Sequence, residues 1–398
     1  MKVFYLFSYN LDLPGVNTKI LDKISSFNNV GLQVKGLVLY NDKNLNLDFL
    51  PEEQFEKHYF SPERVKSRIL NISVFSPLNT FLNNMKAVKE LYETVLSKHP
   101  GSLIITRYGN SDYSSLWLIR KVKGNIIYES NTNEIEQQKI KFKGIFKSPL
   151  WVTYDYYNEL YFGPKVLRKT KGIVCVTNEI ALYQKKRVGE GGKTKVVTIS
   201  NGINVGKYEL APTLGPELQE INLIMLLGVD SPWNGLDKIT EAMSKQSSKI
   251  KLYVVGNVKH ISENEDIIYT GQLSHGQITK LIVDKKICAG VATLALERKG
   301  ITEAAPLKVR EYLSRGLPVI YNYKDTDIDE VDGFNEKYCV KLKDNCDFID
   351  LIFIENKLRK IVAINNYNAS IKEFALEKVD VCRKSEKYKS LIDTIQLN

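Results

Sequence analysis

The hydrophobic pattern of this chain alternates short, continuous apolar runs with longer amphipathic stretches, and it does so twice along 398 residues. Continuous runs of Val, Ile, Leu and Tyr are typical of parallel strands covered on both faces, and the stretches between them have helical periodicity. The alternation therefore predicts an α/β chain with two doubly wound, Rossmann-like domains. The length agrees, because single hydrophobic cores stop growing at roughly 250–300 residues.

The predicted strands have their clearest signal in the apolar runs of each half. They are Lys2–Tyr9, Leu32–Tyr40, Ser102–Arg107, Asn125–Glu129, Gly172–Thr177, Lys195–Ile199, Asn222–Gly228, Lys251–Gly256, Asp266–Thr270, Ala289–Ala295, Pro318–Tyr323 and Tyr338–Lys341. Helical patterns lie between them, and a long one, Ile371–Ile392, follows the last strand.

A turn signal divides the chain near its middle. Asn201-Gly202 is such a signal, and a proline-containing stretch follows at residues 210–216. We expect an N-terminal acceptor domain over residues 1–200, a second domain over 201–370, and a C-terminal helix over 371–398 that crosses back toward the N-terminal domain. Doubly wound sheets bind ligands beyond the carboxyl ends of their strands, so the expected site is a central cleft that the two domains face.

The positive charge of the chain is concentrated in its first half. Residues 1–200 contain 29 Lys and Arg against 18 Asp and Glu, whereas residues 201–398 contain 27 against 28. The N-terminal half is therefore expected to face an anionic partner.

The stretch that carries the most chemical information runs from Glu303 to Ile320. Pro306 suits the entry of a helix that begins at Leu307, and the free amides of Leu307 and Lys308 then form a site suited to phosphate. Glu311 lies one turn further on the same face, where a carboxylate is placed to accept hydrogen bonds from a ribose diol. Glu303 precedes the helix and is within reach of a sugar beyond the phosphates. The alternative is an ordinary amphipathic helix with solvated charges.

This stretch resembles the Glu–seven residues–Glu signature of the retaining family-4 glycosyltransferases, in the variant P-x-K-x-x-E-Y-L-x-x-G-x-P-V-I of bacterial capsular and exopolysaccharide transferases. Four further stretches resemble motifs of that family and follow in the family's order: Asn201–Asn204, Leu227–Asp237, Leu252–Asn257 and Ile268–Leu273. The resemblance is clear over about residues 200–325 and weaker before them.

The resemblance implies the GT-B fold and a retaining hexosyltransferase. Such an enzyme moves a hexosyl unit from a UDP- or GDP-linked sugar to a glycan or lipid-linked acceptor, here in surface polysaccharide synthesis. The donor is a co-substrate, and neither a metal nor another cofactor is expected. The alternative is a non-catalytic GT-B subunit or glycan-binding partner protein.

The family's residue roles transfer to matched positions. Glu303 is the expected catalytic contact to the donor sugar, Glu311 the contact to the ribose, and the amides of Leu307 and Lys308 the diphosphate contacts. Further substrate-binding residues are expected in the other motifs: Gly15 in the loop after the first strand, Gly256 at a strand end, Gly271 and Leu273 beside the nucleobase, and Asn234.

Two positions depart from the family pattern and favour the non-catalytic alternative. Asn234 stands where the family has a basic residue, a role that Lys238 or Lys308 must then take over. The stretch Tyr128–Asn131 contains no histidine, although the family often has one there.

Two short motifs resemble other kinds of functional site, a metal site and a nucleotide-binding loop. Asp325-Thr326-Asp327 resembles a D-x-D metal motif, but a polar loop is the favoured interpretation so late in the chain. Gly192-Lys193-Thr194 resembles the end of a P-loop, but it precedes a strand instead of following one, which favours a turn.

The segment from Lys139 to Trp151 alternates cations with large apolar residues. One interpretation is contact with an anionic membrane through Lys139, Lys141, Lys143 and Lys147, with Phe142, Phe146 and Trp151 entering the interface. The other is a solvated surface segment whose aromatic residues belong to the core. No nucleic-acid partner is expected, because no binding signature accompanies the charge. We expect a cytoplasmic protein that contacts the inner membrane face peripherally.

Overall fold

The computed structural model describes residues 2–9, 14–40, 42, 44–59, 77–142, 149–189, 191–259, 261–344 and 346–397. The chain divides into two compact units. The first comprises Met1–Ile199 and Ser385–Asn398, and the second comprises Ser200–Lys384.

The first unit contains, in its described residues, one parallel sheet of seven strands in the order β3-β2-β1-β4-β5-β6-β7. The strands are β1 (Val3–Ser8), β2 (Val34–Tyr40), β3 (Phe55–Tyr59), β4 (Leu103–Arg107), β5 (Ile126–Ser130), β6 (Gly172–Cys175) and β7 (Lys195–Thr198). The helices are α1 (Pro14–Asn29), α2 (Pro77–Thr94), α3 (Tyr113–Lys121), α4 (Glu134–Lys141), α5 (Leu150–Leu167) and α6 (Asn178–Val188). Every residue of β5 and β6 is buried, which explains their continuous apolar sequence.

The second unit has a parallel sheet of six described strands in the order β10-β9-β8-β11-β13-β15 and a short parallel ribbon of β12 and β14. The strands are β8 (Ile221–Leu226), β9 (Ile250–Val255), β10 (Ile267–Gly271), β11 (Ile287–Val291), β12 (Glu303–Ala304), β13 (Val319–Tyr321), β14 (Lys324–Asp325) and β15 (Cys339–Lys341). The helices are α7 (Leu236–Lys245), α8 (His275–Asp284), α9 (Leu307–Ser314), α10 (Phe334–Tyr338), α11 (Leu351–Val362) and α12 (Tyr367–Phe374). Helix α13 (Val381–Gln396) begins in this unit and belongs to the first unit from Ser385 onward. No helix among the described residues is long and apolar enough to cross a lipid bilayer.

The expectation of one continuous helix over Ile371–Ile392 is wrong. Helix α12 ends at Phe374, a π-helical turn follows, and α13 begins at Val381. The break lies at Asp380, which has extended backbone (φ −60°, ψ 138°). Its carboxylate accepts hydrogen bonds from the amides of Val205 and Cys382. A side chain that satisfies local amides in this way competes with continued helix.

Strand β3 was not predicted, because it has no continuous apolar run. It is an edge strand, and only Phe55 of its five residues is buried. Edge strands are half-solvated and tolerate charges, so the hydrophobic pattern that identified the central strands is weak there.

A buried carboxylate at the end of β5 joins three elements of the first unit. Glu129 accepts hydrogen bonds from Lys23 of α1 (2.6 Å), Tyr5 of β1 (2.6 Å) and Tyr388 of α13. Burial by itself raises the pKa of Glu129, but the ammonium groups of Lys23 and Lys19 and the hydrogen bonds outweigh it and lower that pKa from 4.5 to about 2. Glu129 therefore occupies the strand end where the resemblance expects a histidine, and it packs the C-terminal helix onto this unit.

Replacing Glu129 with Gln is expected to lower the free energy of unfolding at pH 7 by about 3 kcal/mol, because Lys23 stays buried without its counter-charge. Since the folded pKa is depressed, the stabilisation from the carboxylate is complete above about pH 5 and is lost as the pH falls toward 2. Urea unfolding of wild type and Glu129→Gln across this range tests the point. The exposed Glu93→Gln variant is the control, and equal acid sensitivity of all three proteins would contradict the prediction.

Candidate functional site

Helix α9 begins without a side-chain cap. Pro306 is its N-cap residue, in extended conformation, and has no side-chain acceptor for the first-turn amides of Leu307 and Lys308. Uncapped N–H groups at a helix start carry about half a positive charge and favour an anion. The predicted start of this helix at Leu307 agrees with the structure.

The packing of α9 on the sheet determines where its first turn lies. Tyr312 is fully buried, and its hydroxyl donates to the carbonyl of Val291 and accepts from the amide of Leu226 (2.8 Å). A Cβ at Gly290 of β11 would lie 2.2 Å from the Tyr312 ring, so only glycine fits there. The helix therefore rests directly on the ends of β8 and β11.

A buried ion-pair network joins α9 to the ribbon that carries Glu303. Arg310 is completely buried and binds Asp325, with an Nη2–Oδ1 distance of 3.0 Å, and also Asp327. Asp327 further accepts from Lys384 (2.7 Å) and Ser200 (2.7 Å). The D-x-D pair thus neutralises an arginine, and no cluster of three or more His, Cys, Asp or Glu side chains suited to a metal occurs among the described residues.

Glu303 is the first residue of β12, which pairs with β14, so Asp325 and Glu303 belong to the same short ribbon. The side chain of Glu303 is buried, and the residue is only 4% exposed. Arg310 therefore connects the ribbon of Glu303 to the helix of Lys308 and Glu311.

Lys308, one of the two cations expected to compensate for Asn234, lies beside it. Its Nζ atom donates to Asn234 Oδ1 at 3.2 Å. The other candidate, Lys238, binds Glu297 (2.8 Å) and the carbonyl of Cys346 instead. Burial lowers the pKa of Lys308 to about 7. The Asn234 side chain is neutral, so an incoming anion would supply a counter-charge for the Lys308 ammonium group.

Asn234 is itself held rigidly. Its Nδ2 donates to the carbonyl of Val229 (2.9 Å), and its own carbonyl accepts from the amide of Leu294. The next residue, Gly235, has φ +72°, and a Cβ there would lie 2.8 Å from Leu294 Cβ. The loop after β8 therefore packs closely on the loop after β11.

Glu311 has a partner that the sequence analysis did not assign. The side chain of Arg315 is 1% exposed, and its Nε and Nη2 atoms lie 3.1 and 2.9 Å from Glu311 Oε1. His275 lies 3.8 Å from the same oxygen, and its ring packs edge-on against Tyr208. Arg315 holds the carboxylate by one oxygen. The spacing of four residues between Glu311 and Arg315 was the sequence signal for this pair.

Two predicted glycines meet at the ends of β9 and β10. The amide of Gly256 donates to the carbonyl of Gly271 (2.8 Å), and both residues have positive φ, +129° and +71°. A Cβ at Gly256 would lie 2.2 Å from the carbonyl oxygen of Leu227. Leu273 follows and packs half-buried against the core.

Gly15 belongs to the first unit. It lies in the first turn of α1, is exposed, and has open space around its Cβ position. The preceding Leu13, which the loop motif includes, lies outside the described residues. A role of Gly15 toward a donor stays a prediction.

In the second unit the structure joins Lys308 to Asn234, Gly256 to Gly271, and Glu311 to Arg315 and His275. Asn234 follows β8, Gly256 and Gly271 lie at the ends of β9 and β10, and Lys308 and His275 lie in the first turns of α9 and α8, where doubly wound sheets bind ligands. Glu311 lies in the next turn of α9, and Arg315 lies at its C-terminal end.

Comparison with solved structures identifies the architecture. Sucrose-phosphate synthase from Thermosynechococcus elongatus matches with a TM-score of 0.65 at 12% identity, over 100% of both chains. The apo lipopolysaccharide outer core galactosyltransferase WaaB matches with a TM-score of 0.62 at 13% identity, over 99% of both chains. Anabaena HepE, in complex with UDP and glucose, matches with a TM-score of 0.61 at 14% identity, also over 99% of both chains. The fold is GT-B.

No family model and no curated protein matches the sequence. At identities of 12–14% the solved structures establish the fold of this chain alone. The predicted α/β class and GT-B fold are confirmed.

Replacing Gly256 with Ala is expected to destabilise the second unit by roughly 2–3 kcal/mol, because the new Cβ meets the Leu227 carbonyl in addition to the strain of positive φ. Gly271→Ala is the matched control, since it has positive φ but no atom within 4 Å of its Cβ position. The control should cost only about 1 kcal/mol. Urea unfolding measures both variants, and an equal cost would show that the close approach to Leu227 is unimportant.

Proposed function

We propose that this protein is a glycosyltransferase that moves a hexosyl unit from a UDP- or GDP-linked sugar to a glycan or lipid-linked acceptor. The observation that carries the proposal is the uncapped start of α9 with the Lys308 ammonium group beside it. Its support is the GT-B fold, shared with HepE, which has been crystallised with UDP and with UDP-glucose.

The donor diphosphate binds at the first turn of α9. The amides of Leu307 and Lys308 bond to its oxygens, and the Lys308 ammonium group balances the charge that grows as the glycosidic bond breaks. These groups stabilise a leaving diphosphate without a metal ion, so we propose a metal-independent reaction. Asn234 positions Lys308 for this role through the bond to its Nζ atom.

The two glutamates act at opposite ends of the donor. Glu311 accepts hydrogen bonds from the ribose diol through Oε2, because Arg315 holds Oε1. Glu303 contacts the hydroxyls of the donor sugar. Gly271 and Leu273 edge the nucleobase, where the missing side chain of Gly271 lets a ring approach the backbone, and Gly256 holds Gly271 in place through its amide.

We propose that transfer proceeds with retention. The acceptor hydroxyl attacks the anomeric carbon from the side of the leaving group, the bond to the diphosphate oxygen breaks, and the acceptor proton passes to that oxygen. The basic N-terminal unit binds the acceptor, and the setting we propose is surface polysaccharide synthesis at the cytoplasmic face of a membrane.

The Glu303→Gln variant is expected to abolish transfer while leaving UDP affinity nearly unchanged, because only the contact to the sugar is altered. Product mass spectrometry with UDP- and GDP-sugars measures transfer, and calorimetry measures nucleotide binding. Transfer at the wild-type rate would refute the role of Glu303. If neither UDP nor GDP binds to the wild type at millimolar concentration, the proposed function is wrong.

The Glu311→Gln variant is expected to weaken UDP binding about tenfold, because a charged hydrogen bond becomes a neutral one. Glu355→Gln is a matched control, since Arg359 binds Glu355 Oε1 with nearly the same geometry (3.1 and 2.8 Å) on α11. Calorimetry should show unchanged UDP affinity for the control. An equal loss of UDP affinity in Glu311→Gln and Glu355→Gln would contradict the prediction, because the loss would then come from breaking a Glu–Arg ion pair and not from a contact of Glu311 with UDP.

The low pKa of Lys308 predicts that UDP binding takes up a proton. In the free protein the pKa is about 7, and a neighbouring diphosphate raises it, so affinity should fall by up to about tenfold per pH unit as the pH rises above 7. Calorimetry in buffers of different ionisation enthalpy detects the proton. Lys308→Met should lose this pH dependence and the exposed Lys245→Met should keep it; a pH-independent wild type would contradict the prediction.

A further inference from the structure

The outer face of helix α5 (Leu150–Leu167) is apolar. Five of the large hydrophobic side chains that the described chain exposes lie on this one helix: Leu150 (60%), Trp151 (50%), Tyr157 (44%), Leu160 (46%) and Tyr161 (60%). Single exposed apolar residues are common, but a group of five on one helix marks an interaction surface.

The orientation of α5 is set by its opposite face. Its buried residues are Val152, Glu159, Gly163, Val166 and Leu167. At 100° per residue, Leu150, Tyr157 and Tyr161 lie on the side of the helix opposite to Glu159 and Gly163. The outer side of α5 is therefore apolar in addition to its inner side, whereas an ordinary surface helix has a polar outer side.

An ion pair prevents the helix from turning its apolar face inward. Glu159 is completely buried and accepts hydrogen bonds from Tyr108 (2.9 Å), the amide of Ser111, and Arg187. A Cβ at Gly163 would lie 2.0 Å from Arg187 Nη2, so the arginine occupies the space that glycine leaves. Rotating α5 would leave Arg187 and Glu159 buried without each other, which is strongly destabilising.

Cations border this apolar face. Lys139 and Lys141 are exposed at the end of α4, and Arg168 and Lys169 are exposed after the last turn of α5. The Nζ atom of Lys165 lies 3.1 Å from the centre of the Tyr161 ring, on the outward side. Part of the positive charge of residues 1–200 therefore lies beside the exposed aromatic residues, although Lys139 also bonds to Glu136 (2.7 Å).

We propose that the outer face of α5 inserts into the interfacial layer of an anionic membrane. Trp and Tyr side chains are favoured at the headgroup level, because they combine an apolar ring with a polar group. The surrounding Lys and Arg side chains match anionic headgroups in charge, and this complementarity favours a lipid surface over a protein partner. This surface shares Trp151, Lys139 and Lys141 with the predicted one and adds the apolar residues of α5. Lys143, Phe146 and Lys147 of the predicted surface lie outside the described residues, and its Phe142 stacks on Tyr156.

Membrane binding itself does not depend on the proposed transfer, but its use in presenting a lipid-linked acceptor rests on the proposed function. A helix lying in the interface would keep the protein at the membrane surface, where such an acceptor is concentrated.

Vesicle sedimentation of the full chain tests the surface. Wild type should bind vesicles of equimolar phosphatidylcholine and phosphatidylglycerol and should bind pure phosphatidylcholine much more weakly. Leu150→Ser combined with Tyr161→Ser should lower the apparent affinity at least about tenfold, because two interfacial anchors are lost. Leu182→Ser is the control, since Leu182 is 59% exposed on α6 of the same unit; it should bind like wild type. Circular dichroism and UDP binding verify that the variants fold.

A second measurement leaves the sequence of α5 unchanged, so its result does not depend on whether the α5 variants fold. With Trp117 and Trp233 replaced by Phe, Trp151 is the only remaining tryptophan. Its emission should shift to the blue on anionic vesicles and be quenched by brominated lipid. Vesicle binding without quenching of Trp151 would place the contact elsewhere and overturn the proposal.

The remaining outcomes show whether a membrane or another molecule covers the outer face of α5. If wild type fails to bind anionic vesicles and sediments as an oligomer that the α5 substitutions dissociate, a second copy covers this face and the proposal is wrong. If wild type is monomeric and binds neither vesicle, the proposal is likewise overturned. UDP binding in either case would leave the proposed function intact.

Discussion

The bond between Arg310 and Asp325 is the interaction on which the candidate site depends. Arg310 lies in the first turn of α9. Asp325 lies on β14, which pairs with β12, the strand that begins at Glu303. A completely buried guanidinium costs much to leave unpaired, so the two segments cannot separate without a large loss of stability. The pair thereby holds a helix start suited to phosphate and a buried carboxylate in a constant relation, as preorganised electrostatic stabilisation requires.

A second theme is the use of buried charge pairs at strand ends in both units. Glu129 in the first unit gathers side chains from α1, β1 and α13, and Asp327 in the second gathers Arg310, Lys384 and Ser200. Glu129 lies at the carboxyl end of β5, Asp327 follows the short strand β14, and each is satisfied within its unit. Lys308 differs, because its ammonium group donates to the neutral amide of Asn234. That contrast is why we propose Lys308, and neither of these paired charges, as the contact to an anionic ligand.

Prediction from sequence succeeded where the hydrophobic pattern is strong and failed where it is not. Central strands such as β5 and β6 are wholly buried, so their apolar runs identified them to within two residues. The edge strand β3 buries one residue of five and escaped notice. The break at Asp380 was missed because amphipathic spacing continues across it, and only the bonds from Val205 and Cys382 show that the carboxylate ends the helix. The start of α9 at Leu307 was predicted correctly, whereas the contacts of Glu311 with Arg315 and His275 were not foreseen. The roles of Glu303 and Glu311 stay predictions.

The sequence by itself determined the α/β class, the parallel strands and the helix that begins at Leu307, because these follow from local apolar periodicity and from proline and glycine at helix ends. Only the tertiary structure decided which cation lies beside Asn234, what Asp325 and Asp327 bind, and which face of α5 points outward. Those outcomes depend on residues far apart in the chain, and on whether a charge finds a partner once it leaves water. Local sequence does not record this, since the same lysine, aspartate or tyrosine is compatible with either environment until the fold brings its neighbours together.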